Sequence, residues 1–227
     1  MYVPNYIPSP IEVPGNVTEQ SHSIRLAFIR RVGILHLLSL LVIAGISTLD
    51  LPRVAPLATA IDIGTVLLIL SLIRISLRAT KLDQMLSLIL SPVLLVCLGI
   101  GARTLNDSGW PVWGVVIGAV SAVLYALVCG RDFSFVGQFF LSLIVSCVAL
   151  AVIAIAIGIQ PHQAAFLLGA NAVYLAYLVY DSASLLARRR IGEEAAAVVD
   201  LYRDVFNIFG YFIRVARHWR KHRIWAR

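Results

Sequence analysis

The stretch AAFLLGANAVYLAYLVYDSASLL, residues 164–186, decides the fold class, because Asp181 is its only charged residue. A helix needs about 20 mostly apolar residues to cross the hydrocarbon core of a bilayer. A carboxylate at that depth is unfavourable unless it faces protein or water. Tyr174, Tyr177 and Ser184 fall on the same helical face as Asp181. The stretch therefore predicts a spanning helix with a polar stripe that faces the interior of a bundle.

Similar apolar stretches recur along the chain. Hydrophobic residues make up 59% of the 227 residues and charged residues only 14%, against about a quarter charged in soluble domains. Backbone groups in lipid must be satisfied internally, which favours helices. The sequence predicts an all-α integral membrane protein, a seven-helix bundle with helices at residues 32–49, 58–77, 82–100, 112–128, 135–159, 164–186 and 195–215. The remaining segments give a flexible N-terminal tail at 1–22, a membrane domain at 23–216 and a basic C-terminal tail at 217–227.

The distribution of Lys and Arg predicts the orientation. With the N-terminus inside, the inner segments as far as the loop after helix six hold ten Lys and Arg residues, whereas the outer loops hold only Arg53 and Arg103. Positive residues are enriched in cytoplasmic loops, so we expect a cytoplasmic N-terminus. Seven full spans would place the six positive charges from Arg214 to Arg227 outside. Two alternatives stay open. Helix seven is re-entrant and returns to the cytoplasmic side, or it spans the membrane and its tail is an exception to the enrichment of positive residues on that side.

Helix seven carries a second acid and is less apolar than the others. Asp200 and Asn207 share the face of Asp204, at positions i−4 and i+3. Such a stripe belongs inside a bundle or along an aqueous path. Asp181 and Asp204 are therefore the main candidates for a pH sensor and ion pathway. The alternative is that both belong to a static polar packing network.

Helix two carries two further candidates. Arg74, near its inner end, could pair with Asp181 or extend to the lipid headgroups. Asp62, near its outer end, could attract cations or simply stabilise the helix start. The sequence shows neither a nucleophile–base–acid set nor a phosphate-binding loop. We therefore expect no enzyme activity, no cofactor and no nucleic-acid partner.

Three segments in this order resemble the Bax-inhibitor family, also called the transmembrane Bax inhibitor motif family. They are GRDFSFVGQFF at 130–140, YLAYLVYDSASLL at 174–186 and LYRDVFNIFGYFIRV at 201–215, and AFIRRVGILHLLSLL at 27–41 fits more loosely. The resemblance, to a divergent bacterial-type member, implies a seven-helix bundle with the last helix central and a pH-sensitive calcium leak. It also implies that Asp181 and Asp204 are a sensor pair that binds calcium transiently. Arg74 is the best match for an arginine that pairs with them when the leak is closed.

The sequence departs from the family pattern at several positions. Ser182 and Ala183 follow the helix-six aspartate where the family favours Thr and Gln, and Arg203 precedes the helix-seven aspartate where it favours Leu. Arg203 could neutralise a neighbouring carboxylate and weaken cation binding. Pro92 lies in helix three, where we expect a kink. These departures affect calcium permeation more than the fold.

The function predicted from these features is a cation leak gated by protonation of the aspartate pair. Two close carboxylates share one proton, because ionising both in a poor dielectric is unfavourable. Loss of that proton would release Arg74 and open the inner end. The alternative is a non-conducting interaction or assembly subunit. A membrane aspartyl protease is a weaker comparison, because this sequence lacks the Gly-rich segment that surrounds the second aspartate in such proteases. The expected partners are membrane lipids and calcium or protons. If the chain is an assembly subunit, a membrane protein partner is also expected.

Overall fold

The computed structural model describes residues 13–50, 54–77, 80–128 and 135–204, and this part of the chain forms seven α-helices without any strand. They are α1 (His22–Ser47), α2 (Pro56–Leu77), α3 (Lys81–Asp107), α4 (Gly114–Val128), α5 (Phe135–Ala156), α6 (Pro161–Arg188) and α7 (Glu194–Arg203). A short 3-10 helix, Val17–Glu19, precedes α1. The predicted all-α, seven-helix architecture is confirmed.

Five of these helices are long and apolar enough to cross a membrane: α1, α2, α3, α6 and the Gln138–Ala156 part of α5. α4 is apolar but has 15 residues, which span about 22 Å against a hydrocarbon core of about 30 Å. Large apolar side chains point outwards from the bundle; Leu57 is 73% exposed and Ile155 is 82% exposed. Apolar surface of this extent suits lipid rather than water. These features support an integral, multi-pass membrane protein.

Two helices extend beyond their predicted limits by seven residues or more. α1 begins at His22 rather than at residue 32, because Phe28 and Ile29 are already buried in the core one turn before the long apolar run. α3 runs to Asp107 rather than to residue 100, and its last turn is supported by Arg103, whose Nε lies 3.8 Å from Asp107 Oδ2. Pro92 lies inside α3, which continues through it.

The described part of α7 lies at the centre of the bundle. Its ten residues pack against α1, α2, α3 and α6. Residues 196–201 are all buried, and the small side chains of Ala196 and Ala197 allow neighbouring helices to approach closely. This agrees with the predicted central position of the last helix. The predicted continuation from 205 to 215 lies outside the described residues.

Residues 13–20, which the sequence places in a flexible tail, pack against the end of α6; we call them the N-terminal strap. The Val13 amide donates to the Ala187 carbonyl at 3.2 Å, and the Val17 amide donates to the Arg189 carbonyl at 3.0 Å. The last carbonyls of a helix have no partner within it, so the strap supplies donors to this helix end. The Val17 side chain is fully buried in the main core. Composition alone did not predict this docking, because the partner is distant in the sequence.

Candidate functional site: a buried ion-pair cluster

Three side chains on one face of α6 form the first part of the site. Asp181, Ser184 and Arg188 are spaced by three and four residues, so they lie one above the other. Ser184 Oγ donates to Asp181 Oδ1 at 2.8 Å, and Arg188 Nη2 donates to the same oxygen at 2.6 Å. Asp181 is completely buried. The predicted polar stripe of α6 therefore faces protein.

Arg188 also binds Asp204, the residue that caps the C-terminal end of α7. Its Nη1 donates to Asp204 Oδ2. The two aspartates predicted as the sensor pair are thus brought together around one guanidinium. A guanidinium presents its donors in a planar fork that can serve two carboxylates at once. The Arg188 guanidinium therefore supplies a positive charge that both carboxylates contact.

Arg189 and Asp200 form the second part of the site. Arg189 follows α6 in extended conformation, and its Nε and Nη2 donate to the two oxygens of Asp200 at 2.6 and 2.8 Å. Arg203 Nη2 also donates to Asp200 Oδ1. Arg189 has no exposed surface, and Asp200 and Arg203 are 1% and 3% exposed. Asp200, a predicted site residue, therefore binds two buried arginines.

Asp83 connects α2 and α3 to this cluster. Arg74 Nη1 donates to Asp83 Oδ2 at 2.8 Å, and the Asp83 carboxylate lies 3.6 Å from Arg203 Nη1 and 3.9 Å from Arg189 Nη2. Asp83 is completely buried at the start of α3. Arg74 thus pairs with Asp83 rather than with Asp181. It does reach the α6 end, since its Nη2 donates to the Arg188 carbonyl at 3.2 Å.

We call these residues and Glu193 the ion-pair cluster: Arg74, Arg188, Arg189, Arg203, Asp83, Asp181, Asp200, Asp204 and Glu193. Four arginines oppose five carboxylates, and Arg190, whose Nη1 lies 3.6 Å from Glu193 Oε1, adds a fifth positive charge at the exposed edge. Burial lowers the pKa of Arg189, which lies outside the spanning helices, and the Asp83 and Glu193 carboxylates offset only part of this lowering. Arginine stays protonated under such opposing effects. The buried charges are therefore paired charges, as a poor dielectric requires.

Two predicted site residues are not part of the cluster. Asp62 is exposed and lies twelve residues before Arg74 on α2, about 18 Å away along the helix axis. Asn207 lies outside the described residues. Among the described residues, no group of three His, Cys, Asp or Glu side chains is arranged to hold a metal ion. A calcium ion at Asp181 and Asp204 would have to displace the Arg188 guanidinium.

A line of polar contacts leads from the cluster towards the middle of the bundle. The Tyr177 hydroxyl donates to the Leu201 carbonyl at 2.5 Å, which ties α6 to α7. Further along α6, the Tyr174 hydroxyl lies 2.6 Å from Nε2 of the buried His36 on α1. The Ser39 and Tyr202 hydroxyls share a hydrogen bond beside this pair. Together these contacts join α1, α6 and α7 in the part of the bundle next to the cluster.

Sequence reasoning missed Asp83, Arg188 and Arg189 as site residues. Asp83 is three residues after Thr80, whose hydroxyl accepts from the Asp83 amide, so in sequence it resembles an acid that stabilises a helix start. Arg188 and Arg189 lie in a run of three arginines that predicts a basic loop. The spacing of seven residues between Asp181 and Arg188 places both on one helical face. This spacing is the sequence signal from which Arg188 could have been predicted as a site residue.

Comparison with known proteins gives a partial match to a relative. The chain is 32% identical to a BI1-like protein from Arabidopsis thaliana over 104 residues, which are 45% of this chain and 41% of the relative. The chain thus matches less than half of that relative's length. No protein-family model matches the chain, and no solved structure matches it. The match supports the resemblance to the Bax-inhibitor family, and because the relative is a plant protein it gives no support to a bacterial-type assignment.

Proposed function

We propose that this chain is a Bax-inhibitor-type membrane protein that forms a pH-sensitive cation leak, with calcium as a permeant ion. The observation that carries the proposal is the Arg188 guanidinium, which joins Asp181 on α6 to Asp204 on α7. The family resemblance implies the calcium leak, and the partial match to a BI1-like protein supports that resemblance. The Lys and Arg distribution supports a cytoplasmic position for the cluster end of the bundle.

The gating step follows from the charge balance around Arg188. In the closed state both carboxylates are ionised and compensate Arg188 and its neighbours. Protonation of either carboxylate removes one of the two negative charges that Arg188 contacts, and this weakens the ionic link between α6 and α7. α6 and α7 then separate at this end, and the freed carboxylate oxygens suit a hard cation such as calcium. Acid therefore opens this gate, the reverse of the direction expected for a pair that shares a proton.

Calcium flux into dye-loaded vesicles tests this mechanism. We expect the parent to leak more on going from weakly alkaline to weakly acidic buffer. Asp181→Asn and Asp204→Asn imitate the protonated state, so both should leak at weakly alkaline pH with a flattened pH response. Asp107→Asn, at the far end of α3 and 48% exposed, is the matched control and should behave as the parent. If the two site variants also behave as the parent, the mechanism is wrong.

Arg188→Gln gives a sharper test, because it removes the guanidinium that contacts both carboxylates and so allows them to interact directly. Such a pair would hold one proton between them, and loss of that proton would now drive opening. We expect the pH response to invert, with more flux at alkaline pH. Arg190→Gln, two residues on and with a 43% exposed side chain, should keep the parental direction. An unchanged direction in Arg188→Gln would mean that Arg188 does not set the gate.

The number of buried arginine–carboxylate pairs favours a second candidate function, a non-conducting interaction or assembly subunit. Asp83, Arg189 and Asp200 form a closed network with at most 1% exposure, which suits a static scaffold. On this reading the vesicles show no flux for any variant, and a mild-detergent pulldown recovers a stoichiometric membrane protein. In neither candidate does the chain act as an enzyme.

A further inference from the structure

Helices α1 and α3 are in close contact near the C-terminal end of each helix or of its apolar part, at Ile46 and Gly99. A cavity lies beside them nearer the opposite end of α3. At Gly99 an added Cβ would lie 2.5 Å from Cγ2 of Ile46, so only a glycine allows this approach. Towards the cluster end, α7 packs against both helices. A cavity of about 160 Å³ remains among the three helices.

The cavity is apolar and half open. Leu35 on α1 and Leu88 on α3, 37% and 41% exposed, line its open side. Val198 and Val199 of α7, 8% and 3% exposed, line its inner side. The Tyr202 hydroxyl at its edge is already bonded to Ser39. An apolar space whose polar edge is satisfied does not retain ordered water.

The position of the cavity indicates what enters it. Its open side lies between two helices that are long and apolar enough to span the membrane. Both helices carry exposed apolar residues next in sequence to lining residues, such as Leu38 beside Ser39 and Ile89 beside Leu88. Leu88 and Leu95, which line it, are seven and fourteen residues from the start of α3. These positions correspond to a depth of roughly 10–20 Å along the helix. Acyl chains, rather than headgroups, occupy that depth in a bilayer of about 30 Å hydrocarbon thickness.

We propose that this cavity binds one acyl chain of a membrane lipid, which inserts between α1 and α3 and contacts α7 at Val198 and Val199. The bound chain packs against the helix that carries Asp200 and Arg203, so it helps to hold α7 in its place. This inference concerns a lipid-binding site and holds whether or not the chain conducts ions.

Photolabelling in vesicles tests the site. The full chain is reconstituted in phosphatidylcholine vesicles containing a phosphatidylcholine with a diazirine on its acyl chain, irradiated and digested with trypsin. We expect label on the peptide 191–203, because the buried α7 valines are reached through the cavity. Label on the exposed faces of α1 and α3 reports ordinary lipid contact and serves as an internal reference.

Two cavity-filling variants from different walls complete the experiment. Val198→Phe fills the inner side and Ser91→Phe fills the α3 wall; both should lose the label on 191–203 and keep the reference label. Val93→Phe, on the same helix but at a 48% exposed position outside the cavity, is the matched control and should label as the parent. Absence of label on 191–203 in the parent overturns the proposal. So does equal label on that peptide in the two filled variants.

Discussion

At the scale of single residues, Asp200 is the carboxylate on which two buried arginines depend. Arg189 donates to both of its oxygens and Arg203 donates to one of them. Removing one partner of a buried ion pair is strongly destabilising, because the remaining charge is left uncompensated in a poor dielectric. The same removal at an exposed pair has little effect, since water solvates the remaining charge.

We therefore expect Asp200→Asn to lower the free energy of unfolding by about 3–5 kcal/mol. Asp50→Asn, whose fully exposed carboxylate lies 3.5 Å from Arg103 Nη2, should leave it nearly unchanged, because water solvates the remaining charge. Thermal or denaturant unfolding of the purified protein in nanodiscs measures both variants. Equal stability of the two would show that the cluster does not hold the bundle together.

At the scale of elements, the N-terminal strap is a part of the bundle that connects the chain before α1 to the end of α6. Val17 has no exposed surface, and the Arg190 side chain donates to the Pro14 carbonyl at 3.0 Å. The strap lies beside Arg189, so its docking helps to exclude water from the cluster.

Val17→Ala should loosen the strap, at a loss of roughly 1–3 kcal/mol for the buried methyl groups and the space they leave. We expect trypsin to cut faster after Arg189 and Arg190. Val54→Ala, in the exposed connection before α2, is the control and should leave the cleavage rate unchanged. A parental rate in Val17→Ala would indicate that the strap does not protect this loop.

A second prediction at this scale concerns the α1–α3 crossing. Gly99→Ala should destabilise the bundle by roughly 1–3 kcal/mol, because the new methyl group would also lie 3.2 Å from the Ile43 carbonyl oxygen. Ile46→Gly should partly restore stability in the double variant, because it removes both the Cγ2 and the Cβ atom of Ile46, which would lie 2.5 and 2.6 Å from the new methyl group. Gly64→Ala, where nothing lies within 4 Å, should be neutral. Additive losses in the double variant would contradict a direct contact between Gly99 and Ile46.

At the scale of the whole molecule, the cluster collects charged groups from α2, α3, α6 and α7 at one end of the bundle. α1 begins at that same end, since Arg31 lies 3.4 Å from Glu194 at the start of α7. The Lys and Arg distribution predicts that this end is cytoplasmic. The Asp107 end of α3 then lies on the opposite side of the membrane.

Single cysteines at Ile191 and Asp107, which are 45% and 48% exposed, test this orientation in a background without native cysteines. A membrane-impermeant maleimide applied to intact cells should label Asp107→Cys only. Labelling of Ile191→Cys requires permeabilised cells. The opposite result would place the cluster on the outer side and would reverse the direction of the pH signal it senses.

The sequence by itself determined the fold class, the seven helices and Asp181 and Asp204 as residues to examine. Each of these follows from local information: apolar length predicts a span, and an acid within a span must face protein or water. Only the tertiary structure decided that Arg188 joins the two aspartates, that Arg74 binds Asp83, and that residues 13–20 close the end of α6. The chain offers many arginines at helix ends, and their pairing depends on which helices are neighbours. That choice is made by packing between distant segments, which no local pattern encodes.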